Sequence, residues 1–305
     1  IMIPTKKKRN QKHAYLAVFD NQKWVPICYG TQKGKVCYFN EIGKDIAYLP
    51  LYYDNQGIHP ITDPFILDSR GRIKYLHADT SKRKKVILSR KYYLAKHIFD
   101  YAKTLTGGHF EASNNPDFSD PDTIHTISHW LLSADSFEIK PQKTYRYWRY
   151  VSAKNKGCNL AELAFYSDKE EKELTGTIIG TNASVRYDTM PMDKSKVFDK
   201  DILTYYEAPS TVDYPWVGLD FNKPVSINKI IYTPRNDDNN IHAGDLYELF
   251  YWEYNHWMSL GQQRAIESKL TYTNVPDNTL LLLKDLTKGE EERIFTYEND
   301  KQVWW

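Results

Sequence analysis

Two loop segments of the second half carry the side chains best suited to hold a ligand. VFDKDILTYYEAP supplies Asp199, Asp201, Thr204 and Tyr206. TPRNDDNNIHAGD supplies Arg235, Asn236, Asp237, Asp238, Asn239 and Asn240, and WEYNHW and the closing VWW add rings that include Trp257. A sugar offers an apolar C–H face and a ring of hydroxyls. Aromatic planes cover the first, and Arg, Asn and Asp side chains meet the second. Tyr206, Arg235, Asp237, Asn239, Asn240 and Trp257 are therefore candidate ligand-binding residues. Trp216 and Trp252 read instead as core anchors. Asp199 with Asp201 points to a second chemistry, an oxygen-rich loop for a hard cation, although the spacing is not that of an EF-hand.

Other chemistry is missing from the sequence. There is no G-x-S-x-G elbow, H-E-x-x-H pair, P-loop or dinucleotide fingerprint. His109 and His125 are the histidines an enzyme in the first half would use. His125 and His129 stand at i,i+4, which suits a metal only on a helix. DTIHTISHW reads as a strand, where those positions lie about 13 Å apart. Cys158, in NKGCNLAEL, has no local base and reads as a small buried hydrophobe. Cys28, Cys37 and Cys158 form no C-x-x-C, which argues against zinc or a redox pair; a Cys28–Cys37 disulfide and free thiols both remain open. Two carboxylates for glycoside hydrolysis could be drawn from many Asp and Glu residues, and no pair stands out.

Charge excludes further classes. The basic runs Lys6–Arg9 and Lys82–Lys85 read as solvated segments. The 41 basic residues are balanced by 39 acidic ones, so no basic stripe marks a nucleic-acid surface. No window approaches the ~18 apolar residues of a membrane span. A chain opening on Ile1 with no signal peptide reads as a fragment of a longer protein.

The elements that must position these loops are strands. KVCYFN, DIAYLPLYYDNQG and PFILDSRGRIKYL are short runs of Val, Ile, Tyr and Phe, and DNQG and DSRG read as hairpin turns. LSRKYYLAKHIFDYAKTL is the one helix candidate, rich in aromatic and β-branched residues. A boundary falls between about 133 and 142. Beyond it, YRYWRYV alternates, placing Tyr145, Tyr147 and Arg149 on one face and Arg146, Trp148 and Tyr150 on the other. Nine further runs follow, from LAELAFYS to RIFTYENDKQVWW, with TLLLLKDL as a central strand. The expectation is an all-β protein of two β-rich domains, residues 1–138 and 139–305, the second a β-sandwich. Most of the 24 Tyr, 12 Phe and 8 Trp then belong to two cores.

The segments VFDKDILTYY, PWVGLDFNKPVSINKIIYTPRND and GDLYELFYWEYNHWMSLG resemble, in order and spacing, the discoidin domain, also called the coagulation-factor type C domain. The resemblance covers about residues 173–265. It implies an eight-stranded galactose-binding-like jelly roll, loops that bind glycans, phospholipid head groups or proteins, and a structural calcium beside the acidic loop. Asp199 and Asp201 take that loop's two acidic positions and Thr204 its threonine. Tyr206 stands for the usual tryptophan, and Lys200 for a glycine whose role is a positive φ. Arg235 matches an arginine common in sugar-binding relatives. YRYWRYVSAKNKGCNLAELAFYS resembles the family's last strand pair but precedes the main match; there Glu162 is a further candidate for calcium. The whole chain resembles the C-terminal portion of secreted transglutaminase-like proteins of gut Bacteroidota, whose catalytic core would lie upstream. The resulting expectation is a non-catalytic carbohydrate-binding accessory region. It would be extracellular, periplasmic or cell-surface, would need no cofactor beyond a calcium, and would have a glycan or cell-surface polysaccharide and the parent's upstream domain as partners. The alternative is a structural or protein–protein interaction module supporting that upstream domain.

Overall fold

The computed structural model describes residues 13–20, 22–31, 35–36, 45–68, 70–140, 143–167, 173–184, 192–209, 211–289 and 293–305. The Lys6–Arg9 run and Cys37, with its candidate disulfide, lie outside them. The architecture is all-β, built from several antiparallel sheets. It divides into two compact units, residues 1–93 with 239–305, and residues 94–238. The second unit is thus inserted in sequence between two segments of the first. Within the first unit those segments meet where the insertion leaves and returns: the Lys91 N–H donates to the Asn239 carbonyl at 2.8 Å, and Arg90 and Asn240 form an antiparallel bridge. Adjacent ends are the condition under which a host fold accepts an inserted domain.

The first unit opens with β1 (His13–Asp20), β2 (Lys23–Thr31), β3 (Lys35–Val36), β4 (Tyr48–Asp54), β5 (Gly57–Pro60), β6 (Phe65–Leu67) and β7 (Ile73–Tyr75). They form one sheet in the order β3-β2-β1-β4-β6-β7, with β5 also on β4. The DNQG and DSRG turns close the β4–β5 and β6–β7 hairpins. Gly57 and Gly71 take φ of 120° and 75°, and the Asp54 and Asp68 carboxylates accept the N–H groups of Gln56, Arg70 and Arg72. β8 (Asp79–Leu88) follows.

The second unit holds α1 (Lys96–Lys103), β9 (His109–Ser113), β10 (Asp122–Thr126), β11 (Asp135–Glu138), β12 (Tyr145–Val151), β13 (Leu160–Tyr166), β14 (Thr177–Gly180), β15 (Trp216–Val225) and β16 (Lys229–Pro234). A five-stranded sheet, β10-β9-β12-β15-β14, and a three-stranded sheet, β11-β16-β13, share one core. Phe110, Trp148, Tyr150, Val217 and Leu219 come from the first, and Leu160, Leu163, Phe165, Ile230 and Tyr232 from the second. Each such side chain contributes roughly 1.5–3 kcal/mol by leaving water. The boundary read at 138/139 falls inside this unit: β9 and β12 are hydrogen-bonded neighbours across it. On β12 the alternation holds for Trp148 and Tyr150, which are buried, and for Arg149, which faces the other way with its guanidinium 3.8 Å from the Phe118 ring centre. Arg146 departs from the pattern. A register shift between Tyr145 and Tyr147 frees it to pair with both Asp220 oxygens, at 2.7 and 2.8 Å.

The chain then returns to the first unit as β17 (Leu246–Glu253), β18 (His256–Arg264), β19 (Leu270–Asp277), β20 (Leu281–Asp285), β21 (Ile294–Glu298) and β22 (Lys301–Trp304). The sheet order is β18-β17-β20-β21-β22, and β19 pairs with β8. TLLLLKDL is a central strand as expected, with Leu281, Leu282 and Leu283 buried. Phe19, Trp24, Trp252 and Trp257 close a ring of four edge-to-face contacts, with centroids 5.1–5.8 Å apart. Each such contact is worth about 0.5–1.5 kcal/mol beyond burial, so this block absorbs four of the chain's large rings into structure.

Candidate functional site

The first unit carries a cleft of about 710 Å³. Its floor is Val18, Val25, Ile27 and Ile46, from the β1–β2 hairpin and the approach to β4. Its walls are Phe19, Tyr92, Tyr93, Trp304 and Trp305, and its polar groups are Asp20, Asp45 and Arg293. Sheet pairing alone does not set these walls; side-chain clamps do. Gln302 on β22 accepts the N–H groups of Ser89 and Arg90 at 3.1 and 3.2 Å, and its amide donates to the Arg90 carbonyl at 2.9 Å. Arg90 Nε then donates to the Tyr92 carbonyl at 3.2 Å. The segment that ends in Tyr92 and Tyr93 is thereby fastened to the strand that ends in Trp304 and Trp305.

Beneath this wall lies an ion pair. Lys91 Nζ stands 3.1 Å from Asp285 Oδ2, with 3% and 2% of the two side chains exposed. The other carboxylate oxygen accepts the N–H groups of Thr287 and Lys288. The Trp305 indole donates to Thr296 at 3.0 Å, and Trp304 packs on Phe295 and Tyr92. Arg293 lies 5.3 Å from the Tyr92 ring centre and 3.9 Å from the Asp20 carboxylate. The result is a concave site with rings on its walls and a few charged groups beside them, the composition of a small-molecule or sugar site.

The loop residues singled out from sequence do not converge on one site. Tyr206 is fully buried in the second unit's core, and its hydroxyl donates to the Thr181 carbonyl at 2.7 Å. Arg235 is enclosed. Its guanidinium lies 3.8 and 3.6 Å from the ring centres of Tyr101 and Tyr205, and Nη1 is 3.2 Å from the Glu207 carboxylate. Both faces and one edge are occupied, and 14% of the side chain is exposed. Asp237 belongs to the second unit and is half-buried. Asn239 and Asn240 belong to the first, where Asn240 is buried and accepts from Arg90 at 3.1 Å. Trp257 is half-buried in the four-ring block. Cys158 is buried, donates its thiol to the Pro215 carbonyl, and is held well above the ordinary thiol range by burial. His125, on β10, stacks on Phe137 with centroids 4.1 Å apart.

The acidic loop has a different balance from the one its resemblance implies. Lys200 adopts φ of 66°, so a lysine fills the left-handed position where the family has glycine. Asp199 accepts from the Asp201 N–H at 3.0 Å, from Thr204 at 3.0 and 3.1 Å, and from Lys196 at 3.1 Å. Burial pushes Asp199 up, but these donors outweigh it and hold the carboxyl below its ordinary range. Asp201 turns to the Leu203 N–H, and Lys200 pairs with Glu173 at 3.0 Å. Glu162, on β13, has one buried carboxylate oxygen with no hydrogen-bond partner. Burial, then the charges of Asp199, Glu173 and Asp201, push it up to about 7 against the pull of Lys200. Among the described residues no group of three or more His, Cys, Asp or Glu side chains is arranged to hold a metal ion. Lys196 and Lys200 thus pair with two of these four carboxylates, Asp199 and Glu173.

Comparison with known proteins finds no family model, no curated protein and no solved structure that matches the chain. Among the described residues no helix is long and apolar enough to cross a membrane. The aromatic cleft was only partly visible in the sequence. The closing Trp pair stood out as ring-bearing, but Tyr92 and Tyr93 sit in the stretch that read as a helix, of which only Lys96–Lys103 is helical. The remaining walls come from β1, β2 and the approach to β4, which no local pattern ties to residue 304.

Proposed function

We propose that this chain is a non-catalytic carbohydrate-binding accessory region, with the aromatic cleft of the first unit as its binding site. One observation carries the reading: Tyr92, Tyr93, Trp304 and Trp305 line a single concavity together with Asp20, Asp45 and Arg293. Rings stack on the C–H face of a sugar while carboxylates and a guanidinium meet its hydroxyls. Tyr93 is 44% exposed, so part of this aromatic surface is already open to a ligand. The binding site of this proposal is therefore not the Arg235 loop, whose polar groups are taken up internally.

For the second unit a structural or partner-supporting role is the better reading. The enclosure of Arg235 favours it, as does the burial of Tyr206. Its eight strands, in sheets of five and three, form a β-sandwich-type unit, but the third segment of the discoidin resemblance, residues 244–261, lies in the first unit as β17 and β18. An exported parent protein with an upstream enzyme domain remains part of the proposal on that resemblance alone.

The test is a glycan array followed by calorimetry on the best ligand. Tyr93→Ala and Trp305→Ala each weaken binding roughly tenfold, the value of one lost aromatic contact. Arg235→Ala leaves affinity unchanged once folding is controlled. No saccharide binding above background sinks the reading.

A further inference from the structure

The charges in the cleft are unequal, and this bears on which sugar fits. Arg293 faces Asp20 at 3.9 Å. Asp45 lies exposed in the same lining and makes no ion pair among the described residues. Among the described lining residues, Asp20, Asp45 and Arg293 sum to one negative charge, beside four rings. An ammonium group is attracted both by a carboxylate and by the faces of Tyr and Trp. A carboxylate on the ligand meets the opposite field.

We infer that the cleft selects an amino sugar with a free, protonated amine, a hexosamine unit, over its N-acetylated and uronic-acid counterparts. The sugar ring lies on the aromatic wall and the ammonium points to Asp45. This rests on the reading of the cleft as a carbohydrate site and narrows it to one class. Neutral sugars keep the stacking and lose the charge-assisted hydrogen bond. Acidic sugars also lose the stacking geometry, because their carboxylate is driven from Asp45.

The experiment is calorimetry at about pH 6 with three tetrasaccharides: glucosamine, N-acetylglucosamine and galacturonic acid. The glucosamine oligomer binds about tenfold tighter than the acetylated one, the value of one charge-assisted contact over a neutral one. The uronate binds most weakly. In Asp45→Asn the preference falls toward unity. For the wild-type protein it also fades at about pH 9.5, where the amine loses its proton, a readout independent of whether the variant folds. Equal binding of the amine and acetyl forms overturns this inference and leaves the carbohydrate reading standing. A preference that survives Asp45→Asn or deprotonation overturns it too. If none of the three binds and the glycan array is also blank, the carbohydrate reading itself has failed.

Discussion

Lys91→Met isolates the ion pair beneath the cleft wall. Both partners are almost wholly buried, and Lys91 immediately precedes Tyr92 and Tyr93. Removing the ammonium leaves the Asp285 carboxylate in a low-dielectric site with, among the described residues, the Thr287 and Lys288 N–H groups as its donors. Breaking such a pair from one side costs about 3–5 kcal/mol, because the remaining charge is uncompensated. Against a typical domain stability of about 5–15 kcal/mol, that is a large fraction. The double variant Lys91→Met/Asp285→Asn separates charge from packing. Its amide oxygen still accepts both N–H groups and no buried charge remains, so the cost falls to about 1–2 kcal/mol. Urea unfolding at neutral pH, followed by tryptophan fluorescence, measures all three proteins. Trp304 and Trp305 report on the first unit directly. Ligand affinity falls in the single variant and partly recovers in the double, since the same pair anchors Tyr92 and Tyr93. A single variant that costs less than about 1 kcal/mol, or a double variant no better than the single, refutes the reasoning.

Other outcomes follow from the second unit. Glu162 titrates near 7 when folded, above its ordinary value of 4.5, so the folded state holds a proton that the unfolded chain gives up. Its stabilising effect is full below about 4.5 and is lost as pH rises through 7. After allowance for partial exposure the loss is about 2 kcal/mol. Glu162→Gln removes that slope and raises stability at about pH 8.5 in urea titrations; an unchanged slope rules the account out. Calcium and a chelator shift Tm by less than about one degree in differential scanning calorimetry, because Lys196 and Lys200 already hold Asp199 and Glu173; a calcium-dependent rise of several degrees shows that the loop binds the ion. Arg235→Ala strips both tyrosine stacks and leaves Glu207 alone, costing about 2–4 kcal/mol by chemical denaturation. Arg235→Lys, which keeps charge but loses the planar stack, falls between; if it equals wild type, stacking contributes nothing.

Fold class and much of the local detail were legible in the order of residue types. Period-two runs gave the strands. Asp and Gly spacing gave the β4–β5 and β6–β7 turns, because their carboxylates and positive φ are local requirements. Alternation put Trp148 and Tyr150 on one face of β12 without saying which face is packed, and the burial of Cys158 followed from the lack of any base nearby. Arg146 did not follow, since a register shift against β15 turned it away from its expected face. What tertiary structure decided was neighbourhood. The acidic and amide loops looked like one ligand surface because they are close in sequence. Yet chain connectivity puts Arg235 and Asn240 in different units, and packing encloses Arg235 between two tyrosines. The cleft shows the converse. Asp20, Asp45, Tyr92, Arg293 and Trp305 come from segments far apart along the chain. Their meeting depends on long-range sheet order and on the hydrogen bonds between Gln302 and Arg90. Local propensity carries no information about such pairs, because it acts over a few residues whereas a binding wall is fixed by which strands lie side by side.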